Sequence, residues 1–306
     1  MTRIAKPFLK WAGGKNQLLE QFKNYYPTDL KNGIIKNYVE PFLGGGAVFF
    51  DIAQRFNIER AYLSDINKDL ILTYQVIQQQ PDDLLEYLAH YQKRYDQTEQ
   101  EQRNELFLTM RTQFNEQRFE IDYQKLSDHS VLRATLFIAL NKTCFNGLFR
   151  LNSKGAFNVP YGKYKTAMIL DEANILAVSY LLQRVKIVSA EYTDCWNQVN
   201  DQSFVYFDPP YRPVSQTANF TTYTGFEFKD QEQLQLALFF KKLDQEKGAK
   251  LMLSNSDPTF NNPHDNFFEQ AYSGYNIFKV SANRAINCDG NKRGKITELL
   301  ITNFPT

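Results

Sequence analysis

The chain has 306 residues, a formal net charge of +1 and 43% hydrophobic residues, which suits one large domain or two modest ones with an ample core. No apolar run approaches the roughly 20 residues of a membrane span, and the N-terminus lacks the apolar centre of a signal peptide. Its three cysteines lie far apart and its three histidines do not cluster. We therefore expect no membrane association, no disulfide framework and no metal, and a reducing cytoplasm as the location.

The first section of the chain alternates helix and strand signals. Apolar spacing predicts a helix over residues 16–26 that ends at Pro27. A strand at residues 37–40 leads into a glycine turn and an amphipathic helix, and a second strand at residues 60–65 ends on an aspartate. This alternation predicts a parallel sheet that binds ligands at the carboxyl ends of its strands.

The middle section has helical spacing followed by a basic segment. Three helices are predicted, one beginning at residues 81–83, one over residues 106–114 and one over residues 131–141. Residues 142–165 contain five Lys or Arg and no acid, with Asn-Gly and Lys-Gly turn signals between apolar pairs. This segment is typical of a basic β-hairpin with long arms, although a solvated basic face has the same composition.

The last section resumes the alternation of helices and strands. The predicted elements are a helix over 172–183, strands at 185–188 and 205–207, a helix over 231–246, a strand at 250–254 and a terminal strand at 298–303. No internal repeat or low-complexity linker interrupts the chain. We expect residues 1–75 and 167–306 to form one α/β domain and residues 76–166 to be an insertion into it.

Residues 8–15, FLKWAGGK, place a double glycine and a lysine before a predicted helix. Free N–H groups, the helix dipole and a cation converge there, which suits an anionic group. The segment is not a Walker A loop, because Leu9 stands where that loop needs glycine. An N-terminal cap with an incidental tryptophan is the alternative.

Residues 40–47, EPFLGGGA, follow a predicted strand. Gly44 and Gly46 supply a G-x-G turn, and Asp65 ends the next strand 21 residues beyond Gly44. The pattern fits a nucleotide site in which an acid bonds ribose hydroxyls, although tight turns also use glycine for packing alone. Phe49 occupies the place of the third fingerprint glycine, which disfavours a cofactor with a pyrophosphate.

Residues 208–211, DPPY, end an apolar strand. The prolines have no N–H and disfavour helical geometry before them, which predicts a stiff, extended loop with unpaired carbonyls. An exocyclic amine conjugated to a ring is a poor nucleophile. A carboxylate and a carbonyl that accept its two N–H bonds free its lone pair and stabilise the developing positive charge, and Tyr211 offers a face for the ring. A strand-terminating Asx turn is the alternative.

These segments, with YLSDIN and NRAINCDGNKRGKITELL, resemble in the same order the Dam family of N6-adenine DNA methyltransferases, including restriction–modification relatives that methylate GATC. The resemblance implies an α/β fold: a Rossmann-like S-adenosylmethionine-dependent methyltransferase sheet with an inserted, mainly helical target-recognition domain carrying a β-hairpin. It implies S-adenosylmethionine as the methyl donor. The implied cofactor-binding residues are Trp11, Lys15, Phe42, Gly44, Gly46, Asp65 and Asp208, and the implied catalytic residues are Asp208, Pro209 and Tyr211.

The resemblance also implies double-stranded DNA as the partner. The implied DNA-binding residues are Lys10, Phe145, Asn146, Leu148, Arg150, Asn158, Pro160, Lys163 and Tyr164. Of these, Leu148, Arg150 and Pro160 would reach bases of GATC, and Phe145 would be a wedge at the flipped site. Arginine is the commonest reader of guanine in the major groove, whereas basic contacts to phosphates position the protein without specifying sequence.

Further assignments rest on position alone. Tyr192 and Asp194 would border the adenine of the cofactor, and residues 216–222 would form a loop over the site. A second phosphate-binding patch would comprise Arg284, Lys292, Arg293 and Lys295. The resulting hypothesis is an enzyme that flips an adenine out of duplex DNA and methylates N6, acting beside a restriction endonuclease without a stable complex. The alternatives are a cytosine-N4 or RNA methyltransferase, a nicotinamide oxidoreductase and a DNA-binding protein without catalysis.

Overall fold

A seven-stranded sheet with the strand order β3-β2-β1-β4-β5-β7-β6 organises the computed structural model, which describes residues 4–212, 228–283 and 295–305. Strands β1 to β5 run parallel, and β7 pairs antiparallel with both β5 and β6. This confirms the predicted α/β class. The strands are β1 (Asn37–Glu40), β2 (Arg60–Asp65), β3 (Val185–Ser189), β4 (Ser203–Phe207), β5 (Lys250–Ser256), β6 (Asn276–Asn283) and β7 (Lys295–Thr302).

Helices of the described residues cover both faces of the sheet and form the middle section. They are α1 (Leu19–Phe22), α2 (Thr28–Lys31), α3 (Ala47–Arg55), α4 (Lys68–Gln79), α5 (Pro81–Gln97), α6 (Arg103–Gln117), α7 (Asp128–Thr143), α8 (Glu172–Leu182), α9 (Asp230–Lys247) and α10 (Phe267–Ala271). None of these described helices is long and apolar enough to cross a bilayer.

The predicted helix over residues 16–26 is wrong. The stretch folds as a 3₁₀ turn at Lys15–Gln17 followed by the short α1. The chain then turns so that the ring of Tyr26 packs edge-on against Phe56 and Phe204. Continuing one helix to residue 26 would lose these contacts, so tertiary packing outweighs the local apolar spacing.

The central strands β1 and β4 are buried along their whole length, as expected for parallel strands covered on both faces. Strand order reverses between them, because β1 is followed in sequence by β2 on one side and β4 lies on its other side. In open α/β sheets, ligands bind in the crevice at the carboxyl ends of the strands at such a switch point. Glu40 ends β1, and Asp208 directly follows β4.

The basic segment 142–165 is not a long-armed hairpin, contrary to the prediction. It contains a 3₁₀ turn at Phe145–Gly147 and two isolated bridges, Cys144 with Tyr161 and Leu151 with Phe157. The arms bond on either side of the second bridge, from the Asn152 N–H to the Ala156 carbonyl and from the Asn158 N–H to the Arg150 carbonyl. The 3₁₀ turn interrupts one arm between the two bridges, so no continuous ladder forms. The predicted boundary between residues 75 and 76 falls inside α4, and the division into two domains stays a prediction.

Candidate active site

Asp208 lies at the switch point, and one of its carboxylate oxygens has two partners. Lys15 Nζ is 2.9 Å from Asp208 Oδ1, and the Ser254 hydroxyl donates to the same oxygen at 2.9 Å. Lys15 is only 3% exposed. Burial raises the pKa of Asp208, and the Lys15 ammonium opposes that rise. Because no described residue donates to Oδ2, this oxygen remains able to accept an N–H from a ligand.

The ring of Tyr211 is fixed beside this carboxylate. Lys15 Nζ lies 4.7 Å from the ring centroid, and the phenol donates to Glu298 Oε2 at 2.5 Å. Glu298 is on β7 and was not anticipated, although its segment was part of the resemblance. Burial raises the pKa of Glu298, while Lys15 and the phenol hydrogen bond lower it. A cation on one side and an anchored hydroxyl thus fix the plane of the ring.

The two proline carbonyls of the loop differ in whether a described residue donates a hydrogen bond to them. The buried Gln233 side chain of α9 donates to the Pro210 carbonyl at 2.9 Å, so the prediction that the loop carbonyls are unpaired is wrong at this position. The Pro209 carbonyl receives no hydrogen bond from the described residues. An N–H acceptor therefore lies next in sequence to the carboxylate.

The glycine turn after β1 brings three predicted residues together. Gly44 has φ +48°, and its N–H donates to Asp65 Oδ2 at 3.0 Å. The Trp11 indole lies so close that a Cβ on Gly44 would be 2.8 Å from Trp11 Cδ1. Asp65 also accepts the N–H of Asn67 at 2.9 Å, and burial raises its pKa. Asp65 therefore anchors the turn and still has oxygen lone pairs for a ribose hydroxyl. Gly46, also left-handed at φ +68°, completes the turn.

Aromatic rings border the other end of this crevice. Phe42 stacks on Tyr192 with ring centroids 5.5 Å apart and an interplanar angle of 23°. Asp194, in contrast, is exposed and accepts the N–H of Glu191 in a helical cap. The structure thus brings Tyr192, but not Asp194, to a ring that was expected to bind cofactor.

Three acid side chains gather around one lysine at the switch point. Glu40 is buried and accepts the Tyr38 phenol at 2.7 Å, and burial raises its pKa well above the usual range, with Asp208 adding to the rise. Three acids, Glu40, Asp208 and Glu298, therefore share one buried lysine among the described residues. Carboxylates, aromatic faces and a glycine turn fit a nucleoside that carries a sulfonium cation.

Two groups of predicted DNA-binding residues lie outside the crevice. In the first group, Asn141 donates to the carbonyls of Lys10 and Gly147, both at 2.8 Å, which ties the N-terminal segment to the turn after α7. Lys10 Nζ lies 4.5 Å from the Tyr164 ring centroid, and the Asn146 N–H donates to the Tyr164 hydroxyl at 3.1 Å. The structure thus joins Lys10, Asn146 and Tyr164 into one cluster.

In the second group, Arg150 Nε donates to Asn158 Oδ1 at 2.8 Å. Arg150, Pro160 and Lys163 are exposed, and Phe145 is 46% exposed, whereas Leu148 is half-buried against the core. The predicted loop over residues 216–222 and the side chains of Arg284, Lys292, Arg293 and Lys295 lie outside the described residues.

Comparisons with known proteins show the family to which the chain is similar. The family model "D12 class N6 adenine-specific DNA methyltransferase" matches residues 11–286. The chain is 47% identical over 300 residues to a type II methyltransferase, M.MjaIII, of Methanocaldococcus jannaschii, covering 98% of this chain and 99% of the relative. It is 37% identical to the type II methyltransferase M1.LlaDCHI of Lactococcus lactis subsp. cremoris, covering 98% and 95%. It is 36% identical to a DNA adenine methylase of Vibrio cholerae, covering 96% and 95%.

Proposed function

The chain belongs to the D12 class of N6 adenine-specific DNA methyltransferases, and we propose that it methylates N6 of a flipped-out adenine within GATC, with S-adenosylmethionine as the methyl donor. The observation that carries the proposal is the Asp208 carboxylate, held through Oδ1 by Lys15 and Ser254 and open at Oδ2. The carboxylate lies beside the Pro209 carbonyl and the Tyr211 ring. These groups can accept the N–H bonds of an adenine amine and stack on its base.

In this proposal the loop residues bind and activate the amine. Asp208 Oδ2 and the Pro209 carbonyl accept its two N–H groups, which releases the nitrogen lone pair from the ring and stabilises the positive charge that develops during attack. Tyr211 stacks on the flipped base. When bound, S-adenosylmethionine supplies a methyl group already activated by a sulfonium, so this chemistry requires no metal.

The residues proposed to hold the donor line the two glycine segments. Trp11 and Lys15 line its methionine end, Asp65 bonds the ribose, and Phe42 with Tyr192 borders its adenine. Gly44 and Gly46 supply the left-handed turn that lets the backbone pack against the Trp11 indole and the Tyr74 hydroxyl, which supports a shaped donor site at this turn.

The proposed reading of GATC centres on Arg150. Its Nε is engaged by Asn158, while no described residue bonds its two terminal nitrogens. These nitrogens therefore remain able to bind guanine O6 and N7 together, which is the commonest specific contact in the major groove. Leu148 and Pro160 contact further bases, Phe145 is the wedge, and Lys10, Asn146, Asn158, Lys163 and Tyr164 contribute to the DNA surface.

Relatives named type II methyltransferases support a functional pairing with a restriction endonuclease that acts on the same site. We propose no stable complex with it, and a location with the DNA in the cytoplasm.

Substitution of Asp208 tests the proposed chemistry. Transfer of tritiated methyl from S-adenosylmethionine to a GATC duplex is measured for the wild type and for Asp208→Ala, with duplex binding measured in parallel. We expect Asp208→Ala to bind the duplex as the wild type does and to show no turnover. Turnover at the wild-type rate would remove Asp208 from the mechanism.

A further inference from the structure

Three consecutive residues at the carboxyl end of β5 each bond the catalytic loop. Ser254 Oγ donates to Asp208 Oδ1 at 2.9 Å, Asn255 Oδ1 accepts the N–H of Arg212 at 3.1 Å, and Ser256 Oγ donates to the Arg212 carbonyl at 2.7 Å. The register of the sheet explains the match: Phe207 of β4 pairs with Leu253 of β5, so the residues that follow them meet where both strands end.

The loop is held from both faces of the sheet. Successive strand residues point to opposite faces, so Ser254 lies on the face of Tyr206 and Asn255 on the face of α9. Asn255 Nδ2 donates to Gln233 Oε1 at 3.0 Å, and Gln233 Nε2 donates to the Pro210 carbonyl at 2.9 Å. Ser254, Asn255 and Gln233 are fully buried. We call Ser254 and Asn255 of β5, together with the Gln233 of α9 that Asn255 bonds, the β5 clamp.

The hydroxyl of Ser254 has a defined direction. Its single hydrogen goes to the Asp208 carboxylate, which only accepts when ionised. The Tyr206 hydroxyl, 2.8 Å away, must therefore donate to Ser254, which gives a chain from Tyr206 through Ser254 to Asp208. Hydrogen bonds in such buried chains polarise and strengthen one another.

This chain determines which oxygen meets the substrate. The terminal torsion of an aspartate is broad, so a carboxylate without fixed partners samples a range of rotations. Lys15 attracts Oδ1 as a point charge, without the directional preference of a hydroxyl. Ser254 lies on a buried strand, so its hydroxyl donates a hydrogen bond to Oδ1 from a fixed position. Oδ2 is then left aimed away from both donors.

We propose that the β5 clamp positions the catalytic loop for methyl transfer: Ser254 sets the rotation of the Asp208 carboxylate so that Oδ2 receives the amine, and Asn255 acts through Gln233 to fix the loop backbone. The proposal rests on the function proposed for Asp208. None of the three clamp residues touches the reacting atoms, so each is a positioning residue.

Ser254→Ala is the principal test, with Ser254→Thr as the variant that restores the hydroxyl. We expect Ser254→Ala to lower kcat about tenfold or more, with the Kd for duplex and the KM for donor unchanged, because a small misplacement of a catalytic group costs rate rather than binding. Ser254→Thr recovers most of the rate. Ser203→Ala is the matched control, because Ser203 is also buried and hydrogen-bonded, to Asn37 and Asn200, but at the opposite end of β4. It should keep the wild-type kcat.

The pH profile of kcat separates positioning from general loss of structure. The Ser254 hydrogen bond lowers the pKa of Asp208, so its removal raises that pKa, and the acid limb of kcat moves to higher pH in Ser254→Ala but not in Ser203→Ala. The other charged or titratable groups that face Asp208 stay the same in every variant: Lys15, Glu40, Tyr206, Tyr211 and Glu298.

Gln233→Met provides an independent variant. It keeps the volume and removes the donor to the Pro210 carbonyl, so we expect a lower kcat with an unmoved acid limb. The clamp proposal is overturned if Ser254→Ala keeps the wild-type kcat and the wild-type pH profile. It is also overturned if Gln233→Met keeps the wild-type kcat. Turnover by Asp208→Ala would instead defeat the function proposed for Asp208, so the two failures are distinguishable.

Discussion

A buried ion pair joins the segment that carries the predicted DNA-binding residues to the sheet. Arg133 of α7 donates through Nε to Asp69 Oδ1 at 2.6 Å and through Nη2 to Oδ2 at 3.0 Å, and its Nη1 donates to the Phe114 carbonyl at 2.8 Å. Tyr123 adds a hydrogen bond to Asp69 at 2.7 Å. The side chains of Arg133 and Asp69 are 3% and 10% exposed. Asp69 lies in the first turn of α4, directly after the strand that ends at Asp65.

We predict that Arg133→Met lowers the free energy of unfolding by about 3–5 kcal/mol, because it leaves the Asp69 carboxylate buried and without its charge partner. The Phe114 carbonyl also loses its donor. The double variant Asp69→Leu/Arg133→Met should recover most of this loss, since replacing both members of a buried pair by apolar groups is close to neutral.

Urea unfolding followed by circular dichroism measures these differences. Lys36→Met is the matched control: its partner Glu59 is 59% exposed at 3.3 Å, and an exposed pair contributes about 0–1 kcal/mol. The reasoning is refuted if Arg133→Met unfolds within about 1 kcal/mol of the wild type, or if the double variant is no more stable than the single one.

Three further predictions concern recognition, the glycine turn and pH. Arg150→Ala should reduce the preference for GATC over other duplexes by about 1–3 kcal/mol in competition binding. Lys154→Ala, at an exposed lysine of the same basic segment, should weaken binding equally for all sequences. An unchanged preference in Arg150→Ala would exclude Arg150 as a base-reading residue. Gly44→Ala should weaken donor binding in calorimetry far more than Gly33→Ala, because both have left-handed φ but only Gly44 would place a Cβ 2.8 Å from an indole; equal effects would argue against a donor site at this turn. Since burial raises the pKa of Asp208 and its carboxylate must be ionised, kcat should fall as pH drops through a value above the ordinary range for aspartate, and an acid limb at or below that range would contradict the assignment.

The sequence predicted the parts of the site that depend on local signals. Asp65 and Asp208 are acids at strand ends and Gly44 is a turn glycine, so their places follow from the order of strands. The Glu298 partner of Tyr211 and the Ser254 partner of Asp208 come from β7 and β5, and a single sequence does not reveal strand register. The polar residues 254–256, which follow the apolar part of β5, were the one available sequence signal for the two clamp residues on that strand.

Two elements were mispredicted or missed because tertiary contacts decided them. The long-armed hairpin fails because the 3₁₀ turn at Phe145–Gly147 interrupts one arm, and hydrogen bonds from Asn141 and to Tyr164 hold that turn. Strand β6 was not predicted, since it is an edge strand of mixed polarity. The Gln21 side chain bonds both backbone groups of Ser281, which occupies part of the open edge of β6.

Nucleoside mass spectrometry tests the central claim most directly. The enzyme is incubated with S-adenosylmethionine and either a GATC duplex or a duplex of the same composition with that site scrambled, and both are digested to nucleosides. The account predicts N6-methyladenine in the GATC duplex alone. N6-methyladenine in both duplexes would contradict the proposed site, and methylcytosine or no methylated nucleoside in either would contradict the proposed chemistry.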